Sequence, residues 1–220
     1  MMKIFFDTAD IESIRKWLPT GLIDGVTTNP SNLSQHGGDP KKTVLEICKM
    51  FPNGSISIEV TQSEPEAIYK QAKEIAKLGK NVWVKIPCHA RYYPVIKKLV
   101  DDGINLNITL VFTVLQSLMM CKLGVYYISP FVGRWNDIDV DGMAFIPQMR
   151  EMIDFYGFET KILAASIRSL QDFHGAITAG ADAITMPVEI FEKAISNPLT
   201  DQGIEKFTKD WQKLGVNHFP

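Results

Sequence analysis

The sequence has little cysteine: the residues are Cys48, Cys88 and Cys121, three in a chain of 220. An odd number without a C-x-x-C pair provides neither a disulfide framework nor a zinc knuckle, so a reducing compartment fits best. The histidines lack H-x-x-x-H or H-E-x-x-H spacing, and we therefore expect no metal and no other cofactor. Cys88 and His89 are adjacent, but a thiol nucleophile or a metal ligand there is the weaker interpretation.

The sequence also lacks a basic excess. Its 23 Lys and Arg residues stand against 25 Asp and Glu residues, which gives a net charge of -2 at pH 7. Nucleic-acid binders use a positive surface to hold the phosphate backbone, so nucleic acid is not an expected partner. Hydrophobic residues make up 45% of the chain. That fraction excludes an intrinsically disordered chain and predicts one full-sized domain over 1–220.

No apolar run is long enough to cross a bilayer. The longest nearly uncharged stretch, 104–121, is interrupted by polar residues and falls short of the roughly 20 apolar residues that a span requires. Near the N-terminus, Asp7 and Asp10 precede any apolar stretch long enough for a signal-peptide core. We expect no membrane partner and a soluble, cytoplasmic protein.

What the sequence does contain is a series of eight short apolar runs, rich in β-branched and aromatic residues. Near-continuous apolar character over so few residues is typical of strands buried on both faces. The runs are 4–6, 23–26, 56–60, 82–84, 106–112, 125–128, 162–165 and 183–186. Stretches with helical period lie between them, and this alternation predicts a parallel sheet.

A glycine precedes each run after the first, and each fits the stop of a helix. These glycines are Gly21, Gly54, Gly79, Gly103, Gly124, Gly157 and Gly180. Nearly every run ends in a polar residue, and in a closed barrel these residues would converge on one mouth. An open doubly wound sheet would instead have a glycine-rich loop at its switch point, and the sequence has no G-x-G-x-x-G or Walker motif. We therefore predict a (β/α)8 TIM barrel rather than an open sheet.

Lys85 is the candidate nucleophile, since the apolar sequence N-V-W-V-K-I-P surrounds it. Inside a barrel its ammonium loses hydration, which favours the neutral amine that attacks a carbonyl to form a Schiff base. The alternative is a solvated, structural lysine at a strand end. Asp7 and Glu59 would lie around the same mouth and suit the proton transfers of a Schiff-base enzyme. Their alternative role is to cap the helices that follow.

Two arginines and a serine follow the sixth and seventh predicted strands. Arg134 lies in S-P-F-V-G-R, and Ser166 and Arg168 lie in A-A-S-I-R. The loops after these two strands are adjacent and lie close to the usual phosphate site of such barrels, and guanidinium groups bind phosphate oxygens. Arginines that merely cap helices on the surface are the equally weighted alternative.

The C-terminal segment 200–214 has one more amphipathic pattern beyond the eighth unit. Ile204, Phe207, Trp211 and Leu214 form an apolar stripe at helical spacing. We predict an extra helix that covers either its own barrel or a neighbouring subunit.

Together these segments resemble the small, single-domain branch of the transaldolase family, which also contains fructose 6-phosphate aldolase. The resemblance covers nearly the whole chain in eight ordered segments. They are F-D-T-A-D from position 6, V-T-T-N-P-S from 26, I-E-V from 58, V-K-I-P from 84, N-I-T-L-V-F from 107, I-S-P-F-V-G-R from 128, A-A-S from 164 and N-P-L-T-D from 197.

The resemblance implies a class I mechanism. Lys85 would form a Schiff base with the C2 carbonyl of a ketose phosphate, and Asp7 would take the C4 hydroxyl proton during carbon–carbon cleavage. Glu59 and Thr109 would hold the catalytic water. The bound dihydroxyacetone unit would then pass from fructose 6-phosphate or sedoheptulose 7-phosphate to an aldose phosphate, erythrose 4-phosphate or glyceraldehyde 3-phosphate, in the pentose phosphate pathway.

The resemblance also implies which residues bind the substrate. Asn29 and Ser129 would orient the three-carbon enamine, while Arg134, Ser166 and Arg168 would bind the phosphate. The implied substrate-binding set is Asn29, Asn107, Ser129, Phe131, Arg134, Ser166 and Arg168. The C-terminal helix would cross to a neighbouring subunit in a homo-oligomer, a pentamer or a decamer.

Two positions bear on whether the chain resembles the transaldolases or the aldolases of this branch. The aldolases typically have glutamine where Glu59 stands and tyrosine where Phe131 stands, so both positions resemble transaldolase. A phenol at position 131 could protonate the enamine through water, whereas Phe131 has no proton to donate. We therefore expect a transaldolase, with an aldolase that releases free dihydroxyacetone as the alternative.

Overall fold

The computed structural model describes residues 1–35, 38–215 and 218. Eight parallel strands close into a barrel in sequence order, with the first strand pairing with the last. The strands are β1 (Lys3–Asp7), β2 (Gly25–Thr27), β3 (Ser55–Glu59), β4 (Val82–Pro87), β5 (Leu106–Val111), β6 (Tyr127–Pro130), β7 (Lys161–Ala164) and β8 (Ala183–Met186). The predicted (β/α)8 TIM barrel is confirmed.

Helices connect the strands and surround the barrel. They are α1 (Ile11–Trp17), α2 (Pro30–Gln35), α3 (Pro40–Met50), α4 (Pro65–Ala76), α5 (Tyr93–Asp101), α6 (Val114–Leu123), α7 (Val132–Asn136), α8 (Phe145–Tyr156), α9 (Leu170–Thr178), α10 (Val188–Ile195) and α11 (Pro198–Lys213), with short 3-10 helices at Leu18–Thr20, Ala90–Tyr92 and Gly142–Ala144. The outer helices bury an apolar stripe against the strands, as α4 does with Ile68, Ala72 and Ile75. Each fully buried aliphatic side chain of this kind contributes about 1.5–3 kcal/mol.

The lower interior of the barrel is a closed apolar floor. Phe5, Tyr127, Leu163 and Ala183 are buried together, and Trp83 packs against them. Burial raises the pKa of Tyr127 to about 12, so its phenol stays neutral. Successive side chains of a strand alternate between its two faces, so the residue two positions after each floor residue also points inward. The floor therefore determines which residues line the open upper half.

Two strands begin later than predicted, because their first apolar residues belong to the preceding loop. β2 starts at Gly25 instead of residue 23, since the Asp24 carboxylate accepts a hydrogen bond from the Ile4 backbone N at 2.9 Å. β6 starts at Tyr127 instead of residue 125. There, the Val125 backbone carbonyl accepts from the Thr160 hydroxyl at 2.7 Å.

The predicted glycine stops are confirmed at five positions and wrong at two. The five with positive φ are Gly21, Gly103, Gly124, Gly157 and Gly180. Gly54 and Gly79 do not have positive φ. At Gly54 the reason for glycine is space, because a Cβ atom would lie 2.6 Å from the Asp24 carbonyl oxygen.

The extra C-terminal helix is confirmed and begins two residues before the predicted position 200. Asn197 caps α11 by accepting a hydrogen bond from the Leu199 backbone N at 2.9 Å, and Pro198 occupies the first turn. No residue of α11 is buried, and the Phe207 side chain is 72% exposed. Within the described residues, α11 therefore has no fully buried side chain.

No helix in the described part of the chain is long and apolar enough to cross a membrane.

Candidate active site

A cavity of about 450 Å³ opens at the carboxyl ends of the strands. It contains all eleven residues that the sequence and the resemblance single out. They are Asp7, Asn29, Glu59, Lys85, Asn107, Thr109, Ser129, Phe131, Arg134, Ser166 and Arg168. The barrel brings these side chains together because they occupy inward-facing positions on the strands or lie on the loops that follow the strands.

Lys85 and Glu59 form an ion pair near the bottom of the cavity. The two residues are register partners on β4 and β3, and the Lys85 Nζ lies 3.0 Å from Glu59 Oε2. Their side chains are 6% and 16% exposed, respectively. The inward direction predicted for both residues is therefore observed, and the amine has a carboxylate within proton-transfer distance.

Asp7 ends β1 two residues after the floor residue Phe5. Its Oδ1 atom accepts hydrogen bonds from Thr27 Oγ1 at 3.2 Å, Asn29 Nδ2 at 3.3 Å and Asn32 Nδ2 at 2.8 Å. Burial raises the pKa of Asp7 above its ordinary value, while the nearby Lys85 charge and these three donors oppose the rise. The carboxyl group is therefore held in one orientation and accepts a proton more readily than a solvated aspartate.

A network of polar side chains crosses the barrel interior beside Lys85. Asn107 is fully buried and is the register partner of Lys85. It donates to the Ser57 hydroxyl at 3.0 Å and accepts from the Ser129 hydroxyl at 2.7 Å. The bond to Asn107 fixes the direction of the Ser129 hydroxyl group.

Thr109 lines the same cavity, and its hydroxyl group is buried. Its Oγ1 atom has no hydrogen-bond partner among the described residues. The strand pairing shifts register between Ile108 and Val111, and Leu110 adopts a positive φ of 57°. This irregularity lets the consecutive residues Thr109 and Leu110 both line the cavity.

Backbone hydrogen bonds connect the loop after β6 with the loop after β7. The Gly133 N donates to the Ser166 carbonyl at 3.1 Å, and the Val132 N donates to the Ala165 carbonyl at 3.1 Å. A Cβ atom on Gly133 would lie 2.4 Å from the Ser166 oxygen, so only glycine fits there. The junction brings Arg134 and Ser166 to the same wall of the cavity.

The two arginines of this wall differ in their partners. Arg134 makes no ion pair with any described residue, and its guanidinium lies 5.2 Å from the centre of the Phe131 ring. Arg168 pairs with the Asp137 carboxylate at the exposed rim. The cavity is thus polarised, with carboxylates on the β1 and β3 side and guanidinium groups on the β6 and β7 side.

Sequence reasoning missed several residues of the cavity. Asn32, Thr27 and Thr185 line it, and the Thr27 and Thr185 hydroxyls lie 2.7 Å apart. The sequence N-P-S-N could have pointed to Asn32. An asparagine cap followed by proline is typical of the start of a helix, and a helix that starts there places the second asparagine beside the first. Thr185 lies two residues after Ala183. That spacing indicates an inward-pointing side chain only when Ala183 is known to belong to the floor.

Within the described ranges, no three His, Cys, Asp or Glu side chains lie close enough together to hold a metal ion. His36, one of the histidines whose spacing does not suit a metal site, lies outside those ranges.

Comparison with known proteins identifies the family. The family model described as Transaldolase/Fructose-6-phosphate aldolase matches residues 4–217. The chain belongs to this family. It is an aldolase-type enzyme, and the family implies sugar-phosphate substrates.

Curated relatives match over nearly their full length. A protein of Streptococcus agalactiae named "Probable transaldolase" is 46% identical over 213 residues, which cover 97% of this chain and 99% of the relative. A protein of Petrotoga mobilis with the same name is 44% identical, over 96% of both chains.

Solved structures support the fold alone. KGPDC from Streptococcus mutans matches with a TM-score of 0.57 at 11% identity, over 85% of this chain and 88% of that one. A flavocytochrome b2 mutant with benzoylformate matches with a TM-score of 0.61 at 11% identity, over 86% of this chain and 57% of that one.

The raised pKa of Asp7 predicts that Asp7→Asn stabilises the protein at neutral pH. The folded state binds the Asp7 proton more tightly than the unfolded state, whose ordinary value is 3.8, so ionisation at neutral pH costs folding free energy. Thermal unfolding over a range of pH should show a higher melting temperature for the variant at neutral pH. The gain should shrink as the pH falls through the Asp7 pKa.

Asp102→Asn is the matched control with the opposite sign. Hydrogen bonds from Tyr69 and Lys73 lower the pKa of Asp102, so its ionised form stabilises the fold at neutral pH and this contribution disappears in acid. A lower melting temperature for Asp7→Asn at neutral pH would contradict the assignment of burial as the dominant influence on Asp7.

Proposed function

We propose that this enzyme transfers a dihydroxyacetone unit from a ketose phosphate to an aldose phosphate through a Schiff base on Lys85. Fructose 6-phosphate or sedoheptulose 7-phosphate is the donor, and erythrose 4-phosphate or glyceraldehyde 3-phosphate is the acceptor. The observation that carries the proposal is the buried Lys85 amine, paired with Glu59 in a cavity that also contains Asp7. A role in the pentose phosphate pathway and a cytoplasmic location stay predictions.

Imine formation begins with proton exchange between Lys85 and its neighbours. The neutral amine attacks the C2 carbonyl, and the carbonyl oxygen leaves as water after it has gained two protons. Glu59 lies 3.0 Å from the Lys85 Nζ and is placed to accept and return a proton. The unpartnered Thr109 hydroxyl supports its role in holding that water.

Cleavage requires a base at the C4 hydroxyl. Asp7 takes that proton while the C3–C4 bond breaks, and the electron pair of the bond moves to the iminium to form an enamine. The aldose part then leaves as an aldehyde. Asn29 and Ser129 orient the enamine, and the buried Asn107 holds the Ser129 hydroxyl in place. Addition to the acceptor aldehyde reverses these steps, and water releases the product from Lys85.

The substrate phosphate binds at the wall formed by Arg134, Ser166 and Arg168. Arg134 has no carboxylate partner in the described part of the chain, so its charge is available to an anion. Arg168 must exchange the Asp137 carboxylate for the phosphate. A guanidinium pair forms short, charge-assisted hydrogen bonds with phosphate oxygens.

Transaldolase activity is favoured over aldolase activity by Phe131. Its ring lines the cavity and contacts Arg134, and it has no hydroxyl group to protonate the enamine. The enamine therefore persists until an acceptor aldehyde arrives. Release of free dihydroxyacetone remains the alternative that the first experiment distinguishes.

That experiment measures glyceraldehyde 3-phosphate release from fructose 6-phosphate, with and without erythrose 4-phosphate. We expect sustained release only when the acceptor is present, and loss of turnover by several orders of magnitude in Lys85→Ala. Borohydride should trap a substrate-derived mass on Lys85 in the unmodified enzyme and none in the variant. Sustained release without acceptor would identify an aldolase, and full activity of a folded Lys85→Ala protein would exclude the Schiff-base mechanism.

Phe131→Tyr tests the fate of the enamine. The new phenol can donate a proton to the enamine carbon through water, so we expect greater release of free dihydroxyacetone in the absence of acceptor. The matched control is Phe112→Tyr, because Phe112 packs 6.2 Å from the Phe131 ring centre but does not line the cavity. Equal release by both variants and the unmodified enzyme would place control of protonation elsewhere.

We also propose that the enzyme is a homo-oligomer, a pentamer or a decamer, in which α11 packs on a neighbouring subunit. The support is the apolar stripe of α11, where Ile204 and Phe207 are 58% and 72% exposed. Exposed apolar side chains such as Ile204 and Phe207 favour contact with another chain.

Light scattering after size-exclusion chromatography tests the oligomer. We expect the mass of five or ten chains, and a smaller species for Phe207→Ser because burial of the aromatic ring is lost. Lys209→Ser, on the charged side of the same helix, should keep the assembly. A monomeric unmodified enzyme would exclude the oligomer.

A further inference from the structure

The two carboxylate oxygens of Asp7 have different surroundings. Oδ1 accepts three side-chain hydrogen bonds, of which the bond from Asn32 is the shortest at 2.8 Å. Among the described residues, no side chain donates to Oδ2. An oxygen that already accepts three donors has no free direction for a proton, so a neutral Asp7 carries its proton on Oδ2.

Asn32 is held so that its amide group faces Asp7. It lies in the first turn of α2, and its backbone N donates to the Asn29 side-chain oxygen at 2.9 Å. That bond leaves the Asn29 amide nitrogen for Asp7. The two asparagines therefore orient each other as well as the carboxylate.

Asn32 and Asp7 also lie between two cavities. Both line the active-site cavity, and both line a second cavity of about 300 Å³ on the side of α1 and α10, together with Asp10, Ser13 and Glu189. The Asp7 carboxyl group therefore has polar space on two sides. The hydrogen bond from Asn32 restrains it from rotating towards the second cavity.

We propose that Asn32 is a positioning residue for the reaction: by holding Oδ1 of Asp7, it makes Oδ2 the atom that takes and returns the substrate proton. This inference rests on the proposed function, in which Asp7 is the base at the C4 hydroxyl. During cleavage the hydroxyl proton moves to Oδ2 and the C3–C4 electron pair enters the enamine. During transfer Oδ2 returns the proton to the new hydroxyl oxygen.

The hydrogen bond from Asn32 also affects how the reaction rate depends on pH. The groups that face Asp7 are Lys85 with its partner Glu59 across the active-site cavity, and Asp10 and Glu189 across the second cavity. The Asn32 bond lowers the pKa of Asp7 against the rise that burial causes. Its loss raises that pKa, so the acidic limb of the kcat/KM profile moves to higher pH.

The test compares Asn32→Leu, which removes the donor and keeps the branched shape of the side chain, with Asn32→Asp, which is isosteric and adds a like charge. We expect kcat to fall about tenfold or more, on the scale of a misplaced general base. The acidic limb should move to higher pH in both variants, and further in Asn32→Asp. Asn32→Gln, which keeps an amide donor, should recover part of the activity.

Two further measurements separate this inference from its rivals. Ser34→Ala, on the same helix but outside both cavities and hydrogen-bonded to the Ser31 carbonyl instead of Asp7, should leave kcat and the pH profile unchanged. Borohydride trapping on Lys85 should remain at the unmodified level in Asn32→Leu, since imine formation does not use Asp7. If the unmodified enzyme traps no imine, the proposed function fails. If trapping is normal but the acidic limb of both Asn32 variants stays in place, Asn32 has only a structural role and the inference is overturned.

Discussion

The two-residue alternation of side chains inside a closed parallel barrel is the constraint on which the site depends. Each floor residue requires the residue two positions later to point inward, above the apolar layer. Phe5 thus specifies the direction of Asp7, and Trp83 that of Lys85. Because hydrogen bonds on both sides hold every strand, none of these side chains can turn outward without breaking the barrel. The packing of the floor residues therefore determines which side chains line the cavity.

Burial makes the charged form of a side chain in the barrel interior less stable, whereas pairing with an opposite charge or a hydrogen-bond donor makes it more stable. The apolar floor keeps water away from the carboxyl group of Asp7 and raises its pKa, whereas Lys85 and three neutral donors oppose that rise. A buried lysine without a carboxylate neighbour would be costly, and Glu59 provides that neighbour. Lys85 and Glu59 thus stabilise each other in the interior, while Arg134 and Arg168 lie apart on the loops after β6 and β7.

The sequence was sufficient for the barrel and for the principal cavity residues, because apolar runs and the polar residues that end them follow directly from strand periodicity. It was insufficient where long-range contacts decide the structure. Gly54 is a close-approach position and not a helix stop, which depends on the Asp24 carbonyl of another loop. The hydrogen bond of Asn32 to Asp7 likewise joins residues 25 positions apart. The roles assigned to the cavity residues stay predictions.

The contact between Gly133 and the Ser166 carbonyl also limits how such an enzyme can be redesigned. The backbones of the loops after β6 and β7 contact each other at a point where no side chain fits. The position of one loop therefore depends on the position of the other. Grafting one of them from a relative without the other would separate Arg134 from Ser166. Libraries aimed at new substrates would therefore have to exchange both loops together, or leave this pair intact and vary the β1, β2 and β8 side of the mouth.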